Sequence, residues 1–422
     1  MSLAIEGLRW ESRYFQDNGG DSYVIPFPTT RPVHIVFHGA AAFNHGHLGY
    51  HSGIEDRLTF LGSSSATITG HFIDCRLGSI TQGTRLDLAF SPSSKKTLVI
   101  PPGVAHAFDG LENIHTINDY VMYLPDPSKL ITKENPWATG ADITNFSGDA
   151  RDEDIPFVEP NKHPVSDRFY DLLREFQLKT LASVDYEYPS TESIGFEDGS
   201  TFKLQFRKKV QSYLAIPEWE PVGDIAGLGW RRHHVVWGDH AAGYSALLDP
   251  APFQIIDHGE GLYENDAYGI HLLSEDRLTF LGDQNQTASV RLLDCRKGSP
   301  SYDKEIEVDF NPSPLKYLCI PPGVAHGFRH MERIYTVNRT RRCAGDLSKL
   351  EPGNDVIDWH FNDRPAPAFV IEETEAPLSY YKELAKRQER YIAKDVHEST
   401  AMVFLAKNSD GKDVRVALRK SD

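Results

Sequence analysis

The chain has 422 residues, of which 40% are apolar, 25% charged and 11% aromatic, a globular composition that is long enough for two or more domains. It carries 44 lysines and arginines against 60 aspartates and glutamates, a formal net charge of −16. This acidic balance argues against a general nucleic-acid-binding or anionic membrane-binding surface, whereas a phosphorylated small ligand needs only a few local cations. No stretch is apolar enough for a signal peptide or a membrane span, so we expect a soluble, cytoplasmic protein.

The first half of the sequence predicts a β domain with a helix and a hairpin after it. Four short alternating runs, "ATITGHFIDCR", "TRLDLAF", "KTLVI" and "NIHTIND", are separated by glycine, serine and proline. Strands at this spacing are typical of a sandwich or barrel and leave no room for βαβ crossovers. An amphipathic helical pattern, "DRFYDLLREFQLKTL", precedes two alternating runs around an Asp-Gly turn, "ESIGFEDGSTFKLQF". We predict a unit over 1–215, with its barrel over about 1–165 and its helix plus hairpin over about 166–212.

The second half repeats this order of elements after a junction near "IPEWEP". Its strand-like runs are "ASVRLLDCR", "EIEVDF", "KYLCI" and "RIYTVN", its helical pattern is "LSYYKELAKRQERYI", and its hairpin is "AMVFLAKNSDGKDVRVAL". We predict a second unit over 216–422, with its barrel over about 220–378 and its helix plus hairpin over about 379–422.

The two halves share phrases at one constant offset. "EDRLTFLG" occurs at 55–62 and at 275–282, and "IPPGVAHAF" at 100–108 returns as "IPPGVAHGF" at 320–328, each pair 220 positions apart. His51 and His271 are separated by the same interval. Several landmarks at one offset predict an internal duplication.

The repeated proline–glycine–histidine phrase predicts a strand end and a tight turn. Its two prolines cannot donate ladder hydrogen bonds, and Gly103 and Gly323 permit the turn. His106 and His326 then begin the next strand, where we expect them to point inward as pocket residues or as hydrogen-bonded structural groups.

The stretch "DCRKGSPSYDKEIEVDFNPSPLKYLCIPPGVAHGF" resembles the core of the dTDP-4-dehydrorhamnose 3,5-epimerases of the cupin superfamily. Those enzymes carry a D-x-R-x-x-S-P-T phrase, then a strand, then I-P-x-G-x-A-H-G-F. The match covers about 100 residues in each repeat. The resemblance implies an all-β dominated fold of two tandem cupin (jelly-roll) barrels, each with a pocket in its mouth and each followed by a helix and a β-hairpin.

The resemblance also implies an activity, the epimerisation of carbons next to the ketone of a 4-keto-6-deoxy sugar nucleotide, without metal or cofactor. A base removes the acidic proton, an acid on the opposite face returns it, and the enolate oxygen is stabilised meanwhile. The resemblance places the base at His271 and His51, in "YGIH" and "LGYH", and the acid at Tyr335, with His115 at the matching place in the first repeat.

Further residues follow from the same resemblance. Glu375 matches the carboxylate that orients the base, and Arg277 and Arg57 stand where the family has a substrate-binding lysine. His326 and His106 are expected to contact substrate. The arginine of the family's R-G-L-H phrase and that of its N-terminal D-x-R-G phrase are absent, and the second repeat preserves the site better.

Other functions stay open at this point. A 3,4-ketoisomerase uses the same enolisation, and a barrel that binds a sugar or sugar nucleotide without turnover would also fit. A metal-dependent cupin is a third alternative; His45 and His47 form an H-x-H pair, but Glu55 lies eight residues further on, so no metal is expected. Because a two-fold interface uses the same patch twice, we expect the repeats to form an intramolecular pseudo-dimer, which could itself form a homodimer.

Overall fold

The computed structural model describes residues 3–39, 46–124, 143–181, 190–195, 201–206, 216–237, 243–343, 355–371, 374–399, 402–407 and 413–418. The first half contains strands β1 (Arg9–Ser12), β2 (Gln16–Asp17), β3 (Tyr23–Phe27), β4 (Val33–Phe37), β5 (His47–His51), β6 (Ile54–Leu61), β7 (Ile68–Asp74), β8 (Arg85–Phe90), β9 (Lys96–Ile100), β10 (Val104–Asp109), β11 (His115–Asn118), β12 (Val121–Leu124), β13 (Ile143–Ser147), β14 (His163–Pro164), β15 (Ser190–Gly195) and β16 (Thr201–Phe206). A short 3-10 helix spans Asp152–Asp154, and helix α1 spans Asp167–Leu181.

The second half contains strands β17 (Trp219–Pro221), β18 (Gly229–Arg232), β19 (His234–Trp237), β20 (Gly243–Leu247), β21 (Phe253–Asp257), β22 (Ala267–His271), β23 (Ser274–Leu281), β24 (Ala288–Asp294), β25 (Glu305–Phe310), β26 (Lys316–Ile320), β27 (Val324–Arg329), β28 (Tyr335–Asn338), β29 (Arg341–Arg342), β30 (Val356–His360), β31 (Met402–Lys407) and β32 (Asp413–Leu418). Helix α2 spans Leu378–Ser399. Among the described residues, neither helix combines the length and the apolar character that a membrane crossing requires.

Each half is built from two antiparallel sheets that share one core. In the second half, the five-stranded sheet β25-β24-β27-β22-β30 packs on the sheet that contains β18, β26, β23 and β28. Phe280 of β23, Val290 of β24 and Phe328 of β27 meet in one buried cluster, as Phe60, Phe72 and Phe108 do in the first half. This is the predicted cupin-like β architecture, and the hairpins β15–β16 and β31–β32 follow helices α1 and α2. The predicted fold class is therefore confirmed, while the unit boundary at 215/216 adjoins residues outside the described part of the chain and stays a prediction.

The repeated proline–glycine phrase forms the turn that its composition predicts. Gly103 and Gly323 adopt positive φ angles of 81° and 77°, a backbone region that side chains disfavour. The amide of Val324 donates to the carbonyl of Pro321 at 3.1 Å, which closes the turn before β27. Gly323 also donates its amide to the carbonyl of His271 at 2.6 Å, so this turn fixes the end of β22.

The two halves exchange edge strands. Strand β3 of the first half pairs with β21 of the second, and β20 of the second half pairs with β4 of the first. Each of the two nine-stranded sheets therefore contains strands from both halves. A buried apolar cluster lies between them and includes Ile25, Ile35, Ile255 and Val337.

Replacing Ile255 by alanine is expected to lower the free energy of unfolding by roughly 3 kcal/mol, because the side chain is fully buried in the cluster that joins the halves and its removal leaves a cavity. Denaturant unfolding followed by circular dichroism measures the change. Ile80→Ala is the matched control, since Ile80 is 87% exposed and its loss should change stability by less than about 0.5 kcal/mol. Equal effects of the two changes would contradict the assignment of this cluster to the core.

Candidate functional site

A cavity of about 1010 Å³ opens in the second barrel. Its walls come from β21, β22, β23, β27, β28 and β30, and helix α2 lies across them through Leu384, Gln388 and Tyr391. The first half completes the wall with Gln16 of β2 and Val24 of β3. The strand exchange therefore gives the cavity residues from both halves.

The alternation of strand β23 decides which of its side chains enter the cavity. Ser274, Asp276 and Leu278 line it, whereas Arg277 does not. The Arg277 guanidinium instead pairs with Asp249 at 2.7 Å and with Glu275 at 2.8 Å. The structure thus places the cation that was predicted to bind substrate on the other side of the strand and puts a carboxylate, Asp276, in the cavity.

His271 ends β22 and is oriented by a carboxylate. Its Nδ1 lies 2.8 Å from Oδ1 of Asp355, just before β30. Asp355 also accepts the backbone amide of Leu273 at 2.9 Å and the hydroxyl of Ser274 at 3.1 Å, and Arg342 approaches it at 3.4 Å. These contacts fix both the carboxylate and the imidazole ring.

Asp276 lies between two histidines. Its Oδ2 is 3.4 Å from Nε2 of His271 and 3.4 Å from Nε2 of His326, while its Oδ1 accepts a hydrogen bond of 2.9 Å from the Asn338 amide. The two imidazole rings are nearly parallel, with centroids 5.6 Å apart. Asp276 is only 3% exposed, so this cluster sits at the floor of the cavity.

The electrostatics of the two histidines differ. Burial opposes ionisation of His271, but the charges of Asp276 and Asp355 outweigh it and raise the pKa of this imidazole. Burial lowers the pKa of His326, and Asp276 compensates only in part. Burial raises the pKa of Asp355, yet hydrogen bonding from His271 and the charges of His271 and Arg342 bring it below its ordinary value.

Tyr335, the predicted acid, is not among the residues that line this cavity. Its hydroxyl donates to the carbonyl of Gly62 in the first half at 2.9 Å, and its ring packs on the cluster between the halves. Burial raises its pKa further above the ordinary value. On the same strand, Thr336 and Asn338 face the cavity, because neighbouring residues of a strand point to opposite sides.

The predicted orienting carboxylate also lies elsewhere. Glu375 is 55% exposed at its side chain and pairs with Arg341 at 2.9 Å. Asp355 holds the position beside His271 instead. The gapped sequence match pointed to Glu375, whereas the residue that contacts His271 lies just before β30.

The first barrel retains part of the same arrangement. Nε2 of His106 lies 3.6 Å from Oδ2 of Asp56, and Asn118 donates to Oδ1 of Asp56 at 2.8 Å. Burial lowers the pKa of His106, Asp56 opposes this effect, and the charge of His51 adds to it. Arg57 pairs with Glu11 at 2.6 Å, as Arg277 pairs with acids in the second barrel.

Aromatic rings fill the part of the first barrel that corresponds to the open cavity of the second barrel. His34 stacks on Tyr244, at a centroid distance of 4.2 Å, and contacts the tilted ring of Tyr120 at 4.9 Å. The corresponding positions in the second barrel are Gln254, Thr340 and, from the exchanged strand β3, Val24, and all three line the cavity. His115, the counterpart of Tyr335, is 4% exposed, and burial together with the charge of His38 lowers its pKa to about 4.

Sequence reasoning missed four cavity residues, Asp276, Asp355, Asn338 and His258. A signal existed for the first, because the aspartate of "EDRLTFLG" is repeated in both halves. Asp355 had no such signal, since its role depends on the pairing of β30 with β22. His258 is 5% exposed and bonds to the Thr336 hydroxyl through Nε2 at 3.0 Å.

The described lining of the cavity is acidic. It contains five aspartates and one arginine, namely Asp17, Asp266, Asp276, Asp355, Asp358 and Arg342. The guanidinium of Arg342 is already engaged with Ser274 and Asp355. Among the lining residues described, no unengaged lysine or arginine is available for a phosphate group.

Comparison with known protein families matched none, and comparison with curated proteins found no match. Solved structures with similarity include a dTDP sugar isomerase from Desulfovibrio desulfuricans G20, at 16% identity over 37% of this chain and 94% of that one, with a TM-score of 0.26. A 4-keto-6-deoxy sugar epimerase from Streptomyces spheroides is 18% identical over 42% and 88%, with a TM-score of 0.24. An oxalate decarboxylase is 11% identical over 83% and 84%, with a TM-score of 0.22. Likeness at this level carries no functional information.

Stability is expected to fall by several kcal/mol between pH 7.5 and pH 5. Burial lowers the pKa of His258 to about 3, and burial together with the neighbouring His234 lowers that of His233 to about 3. The unfolded chain therefore binds more protons than the folded one between about pH 3 and 6.5, so stability is complete above that range and is lost as pH falls. Each buried histidine contributes about 2 kcal/mol of this loss at pH 5.

Urea unfolding at the two pH values measures the loss. His233→Gln should reduce the difference between them by about 2 kcal/mol, whatever its effect at pH 7.5. An unchanged difference would show that His233 is protonated in the folded protein.

Proposed function

We propose that the cavity of the second barrel isomerises a keto sugar by moving a proton at a carbon next to the ketone. The observation that carries this proposal is the 2.8 Å contact between His271 and Asp355 at the wall of a large cavity. A histidine whose ring is held by a carboxylate and which opens on a pocket is a recurring arrangement in proton-transfer and metal-assisted catalysis.

The volume and lining of the cavity suit a sugar. At about 1010 Å³ it accommodates a hexose together with an attached group. Neutral hydrogen-bonding side chains, among them Gln254, Asn338 and Thr340, supply partners for hydroxyl groups. The resemblance of the sequence to sugar-nucleotide epimerases supports the same class of substrate.

His271 is indispensable in this proposal, and Asp355 is a positioning residue. His326 and Asp276 complete the polar floor on which the reacting end of the sugar would rest. Tyr335, Arg277 and Glu375 have no part in it, because their side chains engage partners outside the cavity.

Proton exchange tests the proposal. The protein is incubated in D2O with dTDP-4-keto-6-deoxyglucose and, separately, with a panel of unphosphorylated ketoses, and the proton signals next to the ketone are followed by NMR. Enzyme-dependent loss of such a signal is expected with at least one compound. The products then separate epimerisation from 3,4-ketoisomerisation, and the absence of exchange with every compound would refute the proposal.

A further inference from the structure

Three atoms that can each bind a cation converge at the floor of the second-barrel cavity. Nε2 of His271 and Nε2 of His326 are both 3.4 Å from Oδ2 of Asp276, and the three atoms lie within 4.8 Å of one another. All three side chains line the cavity. The cluster therefore faces a space that a ligand can enter.

In their neutral tautomers with the proton on Nδ1, both imidazoles direct that proton away from this point. His271 presents Nδ1 to Asp355 at 2.8 Å, which places its ring proton there and leaves a lone pair on Nε2. The backbone of Val324 interacts with His326, whose buried Nδ1 makes no full hydrogen bond among the described residues. The matching histidine of the first barrel, His106, has the same contact at 3.2 Å.

Asp276 is turned toward the same point. Its Oδ1 is taken by the Asn338 amide at 2.9 Å, so Oδ2 is left for the two histidines. When both imidazoles are neutral in these tautomers, the two nitrogens and the carboxylate oxygen are all acceptors, so either a proton on one imidazole or a bound cation is needed between them. Three converging acceptors at a buried position call for a cation between them.

We propose that His271, Asp276 and His326 bind a divalent transition-metal ion. With metal–ligand bonds of about 2.1 Å, each histidine–aspartate pair of donor atoms, 3.4 Å apart, subtends about 108° at the metal, close to the tetrahedral angle, and the two histidine nitrogens lie within 4.8 Å of each other. The surroundings agree with this assignment, because metal-binding histidines donate their second ring proton to a carboxylate or a backbone carbonyl. Here Asp355 and Val324 supply those groups.

The ligand set selects the kind of metal. Two imidazoles and one carboxylate favour manganese, iron, cobalt, nickel or zinc over magnesium and calcium, which prefer oxygen ligands. The cavity side of the ion is left open for a water molecule or a substrate oxygen. The acidic lining of the cavity, which offers no unengaged cation among its described residues, further favours occupancy by a divalent ion.

The metal site lies in the same cavity as the proposed isomerisation, and the inference rests on that proposed function only in assigning His271 the role of a metal ligand. As a ligand, His271 would help to hold the ion, and a bound ion would supply Lewis-acid polarisation of the carbonyl group of a sugar. Because metal binding is measured without any substrate, its failure can be distinguished from a failure of the proposed isomerisation.

The test uses the full-length protein after dialysis against a chelator and then against buffer. Isothermal titration with Zn²⁺, and with Co²⁺ followed by its visible absorption, should each report one ion per chain with micromolar or tighter affinity. Asp276→Asn should weaken binding by at least 100-fold, and Asp355→Asn should weaken it by about 10- to 100-fold through the orientation of His271.

Asp56→Asn is the matched control. It makes the same change at the corresponding position of the first barrel, where His106 lies 3.6 Å from the carboxylate, and it should leave the affinity of the described site unchanged. His326→Gln provides a second variant should Asp276→Asn fail to fold, as judged by thermal unfolding. The inference would be overturned if neither metal bound the unaltered protein, a result that would mean a proton on one imidazole balances the charge of Asp276. It would also be overturned if metal binding survived both Asp276→Asn and His326→Gln.

Discussion

Replacing His271 by asparagine is expected to lower the rate of proton exchange next to the ketone by at least about 100-fold. Asparagine keeps a polar group of similar reach but removes Nε2, the atom that acts either as the base or as a metal ligand, and the loss of either role has an effect of this size or larger. The measurement is the NMR exchange assay in D2O with the compound that the unaltered protein turns over. The side chain is only 18% exposed, so thermal unfolding of the variant is recorded alongside.

His51→Asn is the matched control for this prediction. His51 occupies the corresponding position in the first barrel, where the rings of His34, Tyr120 and Tyr244 pack together. Exchange should therefore persist in the His51 variant. Exchange that survives His271→Asn but is lost in His51→Asn would move the active site to the first barrel.

Neither half is expected to be a stable monomer when it is produced alone. Residues 216–422 would lose β3, the neighbour of β21, and would expose the apolar cluster around Ile255. An exposed strand edge beside a large apolar face associates with another chain or aggregates. We expect this half to form dimers by exchanging β20 with a second copy, or to be insoluble.

Light scattering after size-exclusion chromatography distinguishes these outcomes, with the full chain as reference. Co-expression of 1–215 with 216–422 should restore a one-to-one complex, because each half supplies the strand that the other lacks. A monomeric, cooperatively folded second half would contradict the strand exchange.

The cavity also needs the first half for its function. Gln16 and Val24 belong to the exchanged strands and line the site that contains His271. A second half that regained solubility by self-association would receive residues of β19 and β20 in place of β2 and β3. Its cavity would therefore have a different wall, even though its own polar floor is intact.

The sequence by itself determined the class of fold and pointed to two histidines of the cavity, His271 and His326. Alternation with period two predicts the strands, and glycine with the prolines predicts the turn before β27, because these preferences act through neighbouring residues only. His271 and His326 were found for the same reason: each stands in a short phrase whose conformation is local.

Only the tertiary structure decided the partners of those histidines. Asp355 reaches His271 through the pairing of β30 with β22, which joins positions far apart in the chain. A shift of one residue along a strand exchanges the faces to which its side chains point. The register of β23 therefore places Asp276 rather than Arg277 in the cavity, and the register of β28 places Thr336 rather than Tyr335 there. Short phrases do not specify that register. It is set by the packing of both halves around one exchanged set of strands.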